Sequence, residues 1–215
     1  MTMRIIRSVL TCLLFCGPAS AGSILFNFDN APLHSSLPLD QTVDGLTAHL
    51  SATGQGFSIQ NYNSTFIQPS GFTGNWIYPN SVFKADLLIS FSQTITDFSI
   101  MFATWDLTYD TTATMQVRAY AGTTLIGSNT AQGDPGLTYP VGTLTFSAAQ
   151  GFDNVVVHWL LPPSPPENYA PVFLADNMIV TPLAGPVVPE PASMALLGIG
   201  LVGIVAAVST RRRLC

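Results

Sequence analysis

The stretch D-F-S-I-M-F-A at residues 97–103 alternates regularly between two kinds of position. Phe98, Ile100 and Phe102 fall on one side of an extended chain, and the residues between them fall on the other. A period of two is typical of a β-strand that buries one face and leaves the other in water. Residues 97–103 therefore predict a half-buried strand.

The same kind of pattern continues outward from this stretch in both directions. Residues 114–121 alternate in the same manner, and A-G-T at residues 121–123 predicts a tight hairpin after them. Short runs rich in Val, Ile, Phe and Thr, bounded by Gly, Pro, Asn and Asp, are strand candidates. These candidates are residues 24–28, 46–51, 57–60, 85–91, 95–103, 114–121, 124–128, 143–147, 154–160 and 172–180.

The strand candidates fill residues 22–181, a length that suits one domain with a substantial core. None of them carries an extended helical period. Eight to ten short antiparallel strands are typical of a double-sheet jelly roll. We therefore predict an all-β ectodomain, an antiparallel β-sandwich of the jelly-roll type, followed by a linker at residues 182–187.

The N-terminus has the three parts of a secretory signal peptide. Arg4 and Arg7 precede an apolar run at residues 9–15, and A-S-A at residues 19–21 is a cleavage site for signal peptidase. A lipidation site at Cys16 is the competing interpretation, but Phe15 is bulky where such a signal carries a small residue. We predict that residues 1–21 are a cleaved signal peptide.

The C-terminus has the composition of a membrane span. Residues 192–209 contain no charged side chain, and as a helix they would extend about 27 Å, close to the thickness of a hydrocarbon core. Arg211, Arg212 and Arg213 follow, and such basic residues stay on the cytoplasmic side. This predicts one C-terminal transmembrane helix, and a plain membrane anchor would satisfy the same pattern.

The box V-P-E-P before the span separates these alternatives. Together with the span and the three arginines, it closely resembles the PEP-CTERM sorting signal, here residues 188–215. The resemblance implies that Pro189, Glu190 and Pro191 are recognised by an exosortase. It implies transient insertion in the inner membrane as a precursor, removal or transfer of the tail, and a final place at the cell surface or outside it. Such tails are also catalogued as ice-binding protein C-terminal domains.

The targeting segments hold most of the basic residues and all the cysteines. From Asp29 to Glu190 only Lys84 and Arg118 stand against 12 acidic residues, a net charge of about −10. Such a surface repels phosphate backbones, which argues against nucleic acid as a partner. Cys12, Cys16 and Cys215 lie in the targeting segments, so the domain has no disulfide and no thiolate nucleophile.

Several strand patterns resemble jelly-roll ectodomains of PEP-CTERM proteins and galactose-binding-like carbohydrate-binding modules. They are F-D-N at residues 28–30, residues 91–98, the hairpin at 119–127, and residues 173–180. In those modules two acidic residues share a structural calcium ion, and the resemblance implies Asp29 and Asp176 for that role. The segment after Asp176 has one residue more than the usual Asp-x-Ile.

Residue types that carry catalysis are sparse, and binding is better supported. His34, His49 and His158 occur singly, without metal-ligand spacing, and there is no G-x-S-x-G elbow. Gly-, Asn- and Gln-rich residues 54–80, with the segment that follows residue 104, carry a high density of aromatic rings, either for core packing or for stacking on sugars. The candidates for stacking are Tyr62, Trp76, Tyr78 and Trp105.

The function predicted from these features is that of an exported, non-enzymatic protein of the cell surface or extracellular matrix. Its predicted setting is biofilm or extracellular polysaccharide, with carbohydrate as the candidate ligand. An exported polysaccharide-modifying enzyme is the alternative. An ice-binding ectodomain is a third class, but it would require a regular array of threonine that the chain lacks.

Overall fold

The structure is a computed structural model that describes residues 22–61, 68–104, 114–134, 139–160 and 173–185. The predicted signal peptide, the sorting motif and its span lie outside these residues. Residues Ala21–Leu183 form one compact unit. In the described part of the chain no helix has the length and apolar character that a membrane span requires.

Ten strands make up the described fold, and it contains no helix within those ranges. Their bounds are β1 Ile24–Phe26, β2 Leu39–Val43, β3 Leu46–Ala52, β4 Phe57–Asn61, β5 Asn75–Pro79, β6 Leu87–Thr104, β7 Thr114–Ala121, β8 Thr124–Gln132, β9 Val141–Leu160 and β10 Phe173–Pro182. All paired strands are antiparallel. The predicted all-β antiparallel fold is confirmed.

Two long strands, β6 and β9, belong to both layers of the sandwich. Sheet 1 has the order β2-β3-β6-β9-β7-β8 and uses residues 87–91 of β6 and 154–160 of β9. Sheet 2 has the order β4-β5-β10-β6-β9 and uses residues 95–104 of β6 and 141–147 of β9, with β1 also on β10. Register shifts at residues 90–97 of β6 mark the passage between the layers.

The inner faces of the two sheets share one hydrophobic core. Phe98, Ile100 and Phe102 are buried there, as the alternation of residues 97–103 predicts. Sheet 1 contributes Val117 and Val157 to the same cluster. A further contact joins the layers where Asn129 Nδ2 in β8 donates to the carbonyl of Thr145 in β9, at 2.8 Å.

The structure corrects the predicted strand list in two ways. Residues 85–91 and 95–103 were expected as separate strands, as were 143–147 and 154–160, but each pair is one strand with an irregularity inside it. The strands β2 and β5 were not predicted. The hairpin at residues 121–123 is confirmed, since Ala121 pairs with Thr124 and Gly122 has a φ of 57°.

Candidate functional site

A second apolar cluster lies on the outer face of sheet 2, apart from the shared core. Its buried members are Phe72, Trp76, Ala103 and Leu174, and its partly buried members are Tyr78, Met101, Tyr139 and Val141. We call these eight residues the outer-face cluster. The outer face of a sandwich sheet is normally the wet one, so an apolar cluster there calls for a ligand or a covering segment.

The strand register shows how the outer-face cluster is built. Ile77 pairs with Ala175 on the inner face, which places Trp76 beside Asp176 and Tyr78 beside Leu174 on the outer face. The register of the other strands extends these pairs into two cross-strand rows. The rows are Gln60, Trp76, Asp176, Met101, Thr143 and Ser58, Tyr78, Leu174, Ala103, Val141.

Tyr78 is the central aromatic side chain that keeps partial exposure. Burial raises the pKa of its phenol above the usual 10.0, and the neighbouring Tyr139 raises it further. Tyr78 therefore stays a neutral hydrogen-bond donor at physiological pH. Tyr78 and Tyr139 lie in the same apolar cluster, and tyrosine combines an aromatic ring with a polar hydroxyl group.

A loop at residues 68–74 covers one end of the outer-face cluster. Phe72 in this loop is buried and meets Trp76 edge to face, with ring centroids 6.1 Å apart. The amide of Phe72 donates to the carbonyl of Pro69 at 3.2 Å, and Gln68 Nε2 donates to the carbonyl of Phe72. We call residues 68–74 the covering loop.

Two carboxylates hold the covering loop from opposite ends of the sequence. Asp176 Oδ2 accepts from the amide of Thr73 at 3.1 Å, and Asp29 Oδ1 accepts from the amide of Asn75 at 2.9 Å. Asn177 Nδ2 adds a bond to the carbonyl of Gly71 at 3.3 Å. The turn that follows β1 thereby holds the residue after the covering loop, and the last strand holds the loop itself.

Unusual backbone conformations next to Asp29 and Asp176 direct their carboxylates toward the covering loop. Phe28, next to Asp29, has a φ of 59°, and its fully buried ring keeps it there. Asn177, next to Asp176, has a φ of 48° and lies at an irregularity of β10. A non-glycine residue at positive φ costs about 1 kcal/mol, so packing and hydrogen bonds must maintain both turns.

Asp176 has an unusual environment for an acidic side chain. It is fully buried, and burial raises its pKa from 3.8 to about 6. Bonds from the amides of Thr73 and Asn177 act in the opposite direction, while the charge of Asp29 raises the pKa further. The two carboxylates are therefore electrostatically coupled as well as attached to the same loop.

The oxygen atoms near Asp29 and Asp176 are of the types that bind hard cations. Calcium prefers carboxylate, amide and carbonyl oxygens, and Asp29 and Asp176 are surrounded by Asn27, Asn75 and Asn177. All four carboxylate oxygens already accept hydrogen bonds from the protein. Among the described residues there is no group of three His, Cys, Asp or Glu side chains that could hold a metal. The calcium site stays a prediction.

The predicted site residues fall into three groups. The structure brings Asp29 and Asp176 to one loop, although 147 positions separate them. Tyr78 lies in the outer-face cluster, partly exposed. Trp76 is only 2 % exposed, so its predicted role in stacking is corrected to packing against Phe72.

Some predicted residues cannot be placed, and two members of the cluster were not predicted. Tyr62, Trp105 and the sorting residues Pro189, Glu190, Pro191 and Arg211 to Arg213 lie outside the described residues. Tyr139 and Met101 belong to the cluster but were not predicted. Met101 could have been found, because it lies on the face opposite Phe98, Ile100 and Phe102.

Comparison with known proteins identifies the C-terminal segment. Residues 187–213 match the PEP-CTERM protein-sorting motif. This confirms the resemblance drawn from the V-P-E-P box, the apolar run and the arginines. The chain carries this sorting motif and is thereby an exported protein. Curated proteins gave no match.

Several solved structures are similar to this chain at low sequence identity. The K2 cleaved adhesin domain of Lys-gingipain is 14 % identical, with 74 % of this chain and 99 % of that one covered and a TM-score of 0.46. CBM29_1, a family 29 carbohydrate-binding module from Piromyces equi, is 8 % identical, with 80 % and 98 % covered and a TM-score of 0.36. A family 11 carbohydrate-binding module from Clostridium thermocellum is 10 % identical, with 76 % and 98 % covered and a TM-score of 0.33.

Proposed function

Because this chain is exported under a PEP-CTERM signal, we propose that it is a non-enzymatic carbohydrate-binding protein of the cell surface or extracellular matrix. The observation that carries this proposal is the outer-face cluster, an aromatic and aliphatic surface apart from the core of the sandwich. Sugar would bind over Tyr78 and Tyr139, with Met101 and Val141 beside them. The partly exposed members of the cluster lie along one sheet face, which suits a chain of sugars.

A sugar has apolar C–H faces and polar hydroxyl groups, and the side chains around Tyr78 can contact both. Its ring offers an apolar face to the C–H groups of a pyranose, as aromatic side chains do for amphipathic ligands. Polar partners lie next to it: Ser58 pairs with Tyr78 across the strands, and Gln60 Nε2 donates to Ser58 Oγ at 3.1 Å. Gln60 Oε1 in turn lies 3.0 Å from His34 Nδ1. Ser58 is buried and positions Gln60, so Gln60 and the exposed His34 are the groups that would contact the hydroxyl groups of the sugar.

The predicted signal peptide and the sorting tail would bring the domain to the polysaccharide outside the cell. In this proposal signal peptidase removes residues 1–21, the tail holds the precursor in the inner membrane, and an exosortase acts at the Pro189-Glu190-Pro191 box. The extracellular polysaccharide or biofilm matrix of the same cell is then the ligand that the exported domain meets. The strongly acidic domain favours neutral sugars over polyanions on this face.

The enzyme alternative would rest on Asp176. A carboxyl group with a pKa of about 6 is typical of a general acid, and a second carboxylate is near it. However, Asp176 is fully buried and both of its oxygens accept hydrogen bonds from Thr73 and Asn177. A side chain in that position supports the covering loop and has no path to a glycosidic oxygen, which favours binding over catalysis.

A glycan array tests the proposal with the exported protein. We expect retention of neutral β- or α-linked oligosaccharides, and a loss of affinity of at least tenfold, about 1.4 kcal/mol, for Tyr78→Ala and for Tyr139→Ala. Phe83→Ala removes an exposed aromatic ring outside the outer-face cluster and is the matched control, which should bind as the unchanged protein does. Absence of any bound glycan, or equal binding by all four proteins, would refute the proposal. Release of reducing sugar that Asp176→Asn abolishes would support the enzyme instead.

A further inference from the structure

Arg118 is an unpaired cation on the outer face of sheet 1. It is half-buried in β7 and is one of only two basic residues, with Lys84, between Gly22 and Gly185. The ion pairs within the described residues are Asp40 with His49 and Asp86 with His158. Although the domain is rich in carboxylates, none in the described ranges pairs with this guanidinium, so its charge remains available to an external anion.

The side chain of Arg118 is held in place by its own strand. Its Nε donates to Gln116 Oε1 at 2.6 Å, two residues away on the same face. This bond orients the guanidinium, and no residue in the described ranges forms a hydrogen bond with its terminal amino groups. Because the planar fork of arginine binds a carboxylate through two parallel hydrogen bonds, a fixed guanidinium is a preorganised carboxylate anchor.

The strand register surrounds this anchor with groups that suit a sugar. Ser128 lies directly across from Arg118 on β8 and is exposed, and His158 lies across from Gln116 on β9. His158 Nδ1 is bound to Asp86 at 2.7 Å, which fixes its ring and leaves Nε2 as the free nitrogen. Tyr120, the next outward residue of β7, offers an aromatic ring on the same face.

We propose that this face is a second binding site, specific for a carboxylate-bearing sugar such as a uronic acid. Arg118 binds the carboxylate, Tyr120 stacks against the ring of the sugar, and Ser128 and His158 contact its hydroxyl groups. The site goes beyond the proposed function, because it lies on the opposite sheet from Tyr78 and selects a charged ligand. With two sites on opposite faces, one exported domain would connect a neutral and an acidic polysaccharide chain.

The charges near Arg118 set the conditions for a test. Asp86 is engaged by His158, and Asp153 accepts from the amide of Gly122 and from Asn154 Nδ2. The domain as a whole is acidic and repels a long polyanion. A short oligosaccharide at 0.15 M ionic strength, where the Debye length is about 8 Å, keeps the local contact while it screens the distant charges.

The experiment compares trigalacturonate with its methyl ester by calorimetric titration of the exported protein. The acid and the ester share their ring and hydroxyl groups, so only the carboxylate differs. We expect the acid to bind at least tenfold more tightly than the ester. Arg118→Gln should remove this preference, while Arg118→Lys should retain only part of it because lysine lacks the fork.

The controls keep this proposal separate from the first one. Lys84→Gln removes the other cation and should leave the preference for the acid intact, and so should Tyr78→Ala. Equal affinity for acid and ester, or an Arg118→Gln protein that folds with unchanged melting temperature and still prefers the acid, would overturn the second site. Failure of neutral glycans to bind would affect only the site at Tyr78.

Discussion

At Gly74 the backbone passes so close to Asp29 that a side chain has no room. A Cβ atom built at Gly74 would lie 1.7 Å from Asp29 Oδ1, and the residue has a φ of 57°. The carboxylate of Asp29 therefore lies against the backbone of Gly74 and accepts a hydrogen bond from the amide of Asn75. One residue without a side chain thus decides whether the covering loop can be held by Asp29 at all.

This contact predicts a large effect of Gly74→Ala on stability. Gly122→Ala is the matched control, because Gly122 has the same φ of 57° but nothing within 4 Å of its Cβ position. The control should lose about 1 kcal/mol of unfolding free energy from its backbone conformation alone. Gly74→Ala should lose at least twice as much in urea denaturation. Equal losses for the two variants would mean that Asp29 moves away at no cost.

The buried carboxyl of Asp176 predicts a dependence of stability on pH. Its pKa in the folded protein is about 6, above the ordinary 3.8, so the folded state binds this proton more tightly than the unfolded state does. The resulting stabilisation is complete below about pH 4 and is lost as the pH rises through about 6. Two pKa units correspond to about 3 kcal/mol as an upper figure. Unfolding free energies between pH 4 and 7 should decline relative to those of Asp176→Asn.

The same pair of proteins tests the predicted calcium ion. A cation shared by Asp29 and Asp176 would favour the charged form of Asp176 and would bind only the folded state. At 100 times its dissociation constant, calcium would add about 2.7 kcal/mol at pH 7. The melting temperature of the unchanged protein should then fall on chelation, and that of Asp176→Asn should stay constant. If chelation changes neither, the carboxylates serve the covering loop alone.

The strands that were predicted best are those in which buried and exposed side chains alternate along the sequence. Residues 114–121 were placed at the observed limits of β7, and the inner positions Met115, Val117 and Ala119 are all fully buried. Alternation is a local signal, because each side chain reports its own face. Such strands can be identified without knowledge of their partners.

The long strands β6 and β9 show where that local signal ends. The polar residues between residues 91 and 95 predicted a break, yet tertiary contacts carry the strand through them. Ser92 Oγ accepts from the amide of Thr47, and the carbonyl of Thr94 accepts from the amide of Leu183. These partners are distant in sequence, so a local sequence pattern could not predict them.

The two missed strands had different causes. In β2 the pattern L-D-Q-T-V is weak, although Asp44 and Gly45, both at positive φ, form a two-residue turn that D-G often signals. In β5 the bounding Asn75 and Pro79 suggested a loop. The burial of Trp76 could not be predicted either, since it depends on Phe72 from the covering loop.

In the whole molecule, the first and last strands lie side by side. Ile24 pairs with Val180, and Ser23 Oγ is 3.0 Å from Thr181 Oγ1. At the other end of the described domain, the amide of Leu183 donates to the carbonyl of Thr94 at 2.8 Å. All of these residues remain after the predicted removal of residues 1–21 and of the sorting tail, so we expect the processed domain to keep its fold.

The role of the Pro-Glu-Pro box in processing can be tested by mutation. Glu190→Ala should impair processing, because membrane insertion depends on the apolar span whereas recognition requires the Pro-Glu-Pro box. The unprocessed precursor should accumulate in the inner membrane, where intact mass would still include residues 192–215. Glu167→Ala changes the other glutamate of the chain and should be processed normally. Loss of Arg211 to Arg213 should resemble Glu190→Ala. Normal release of the Glu190→Ala protein would reduce the tail to a membrane anchor. We expect the domain to keep its melting temperature in every variant.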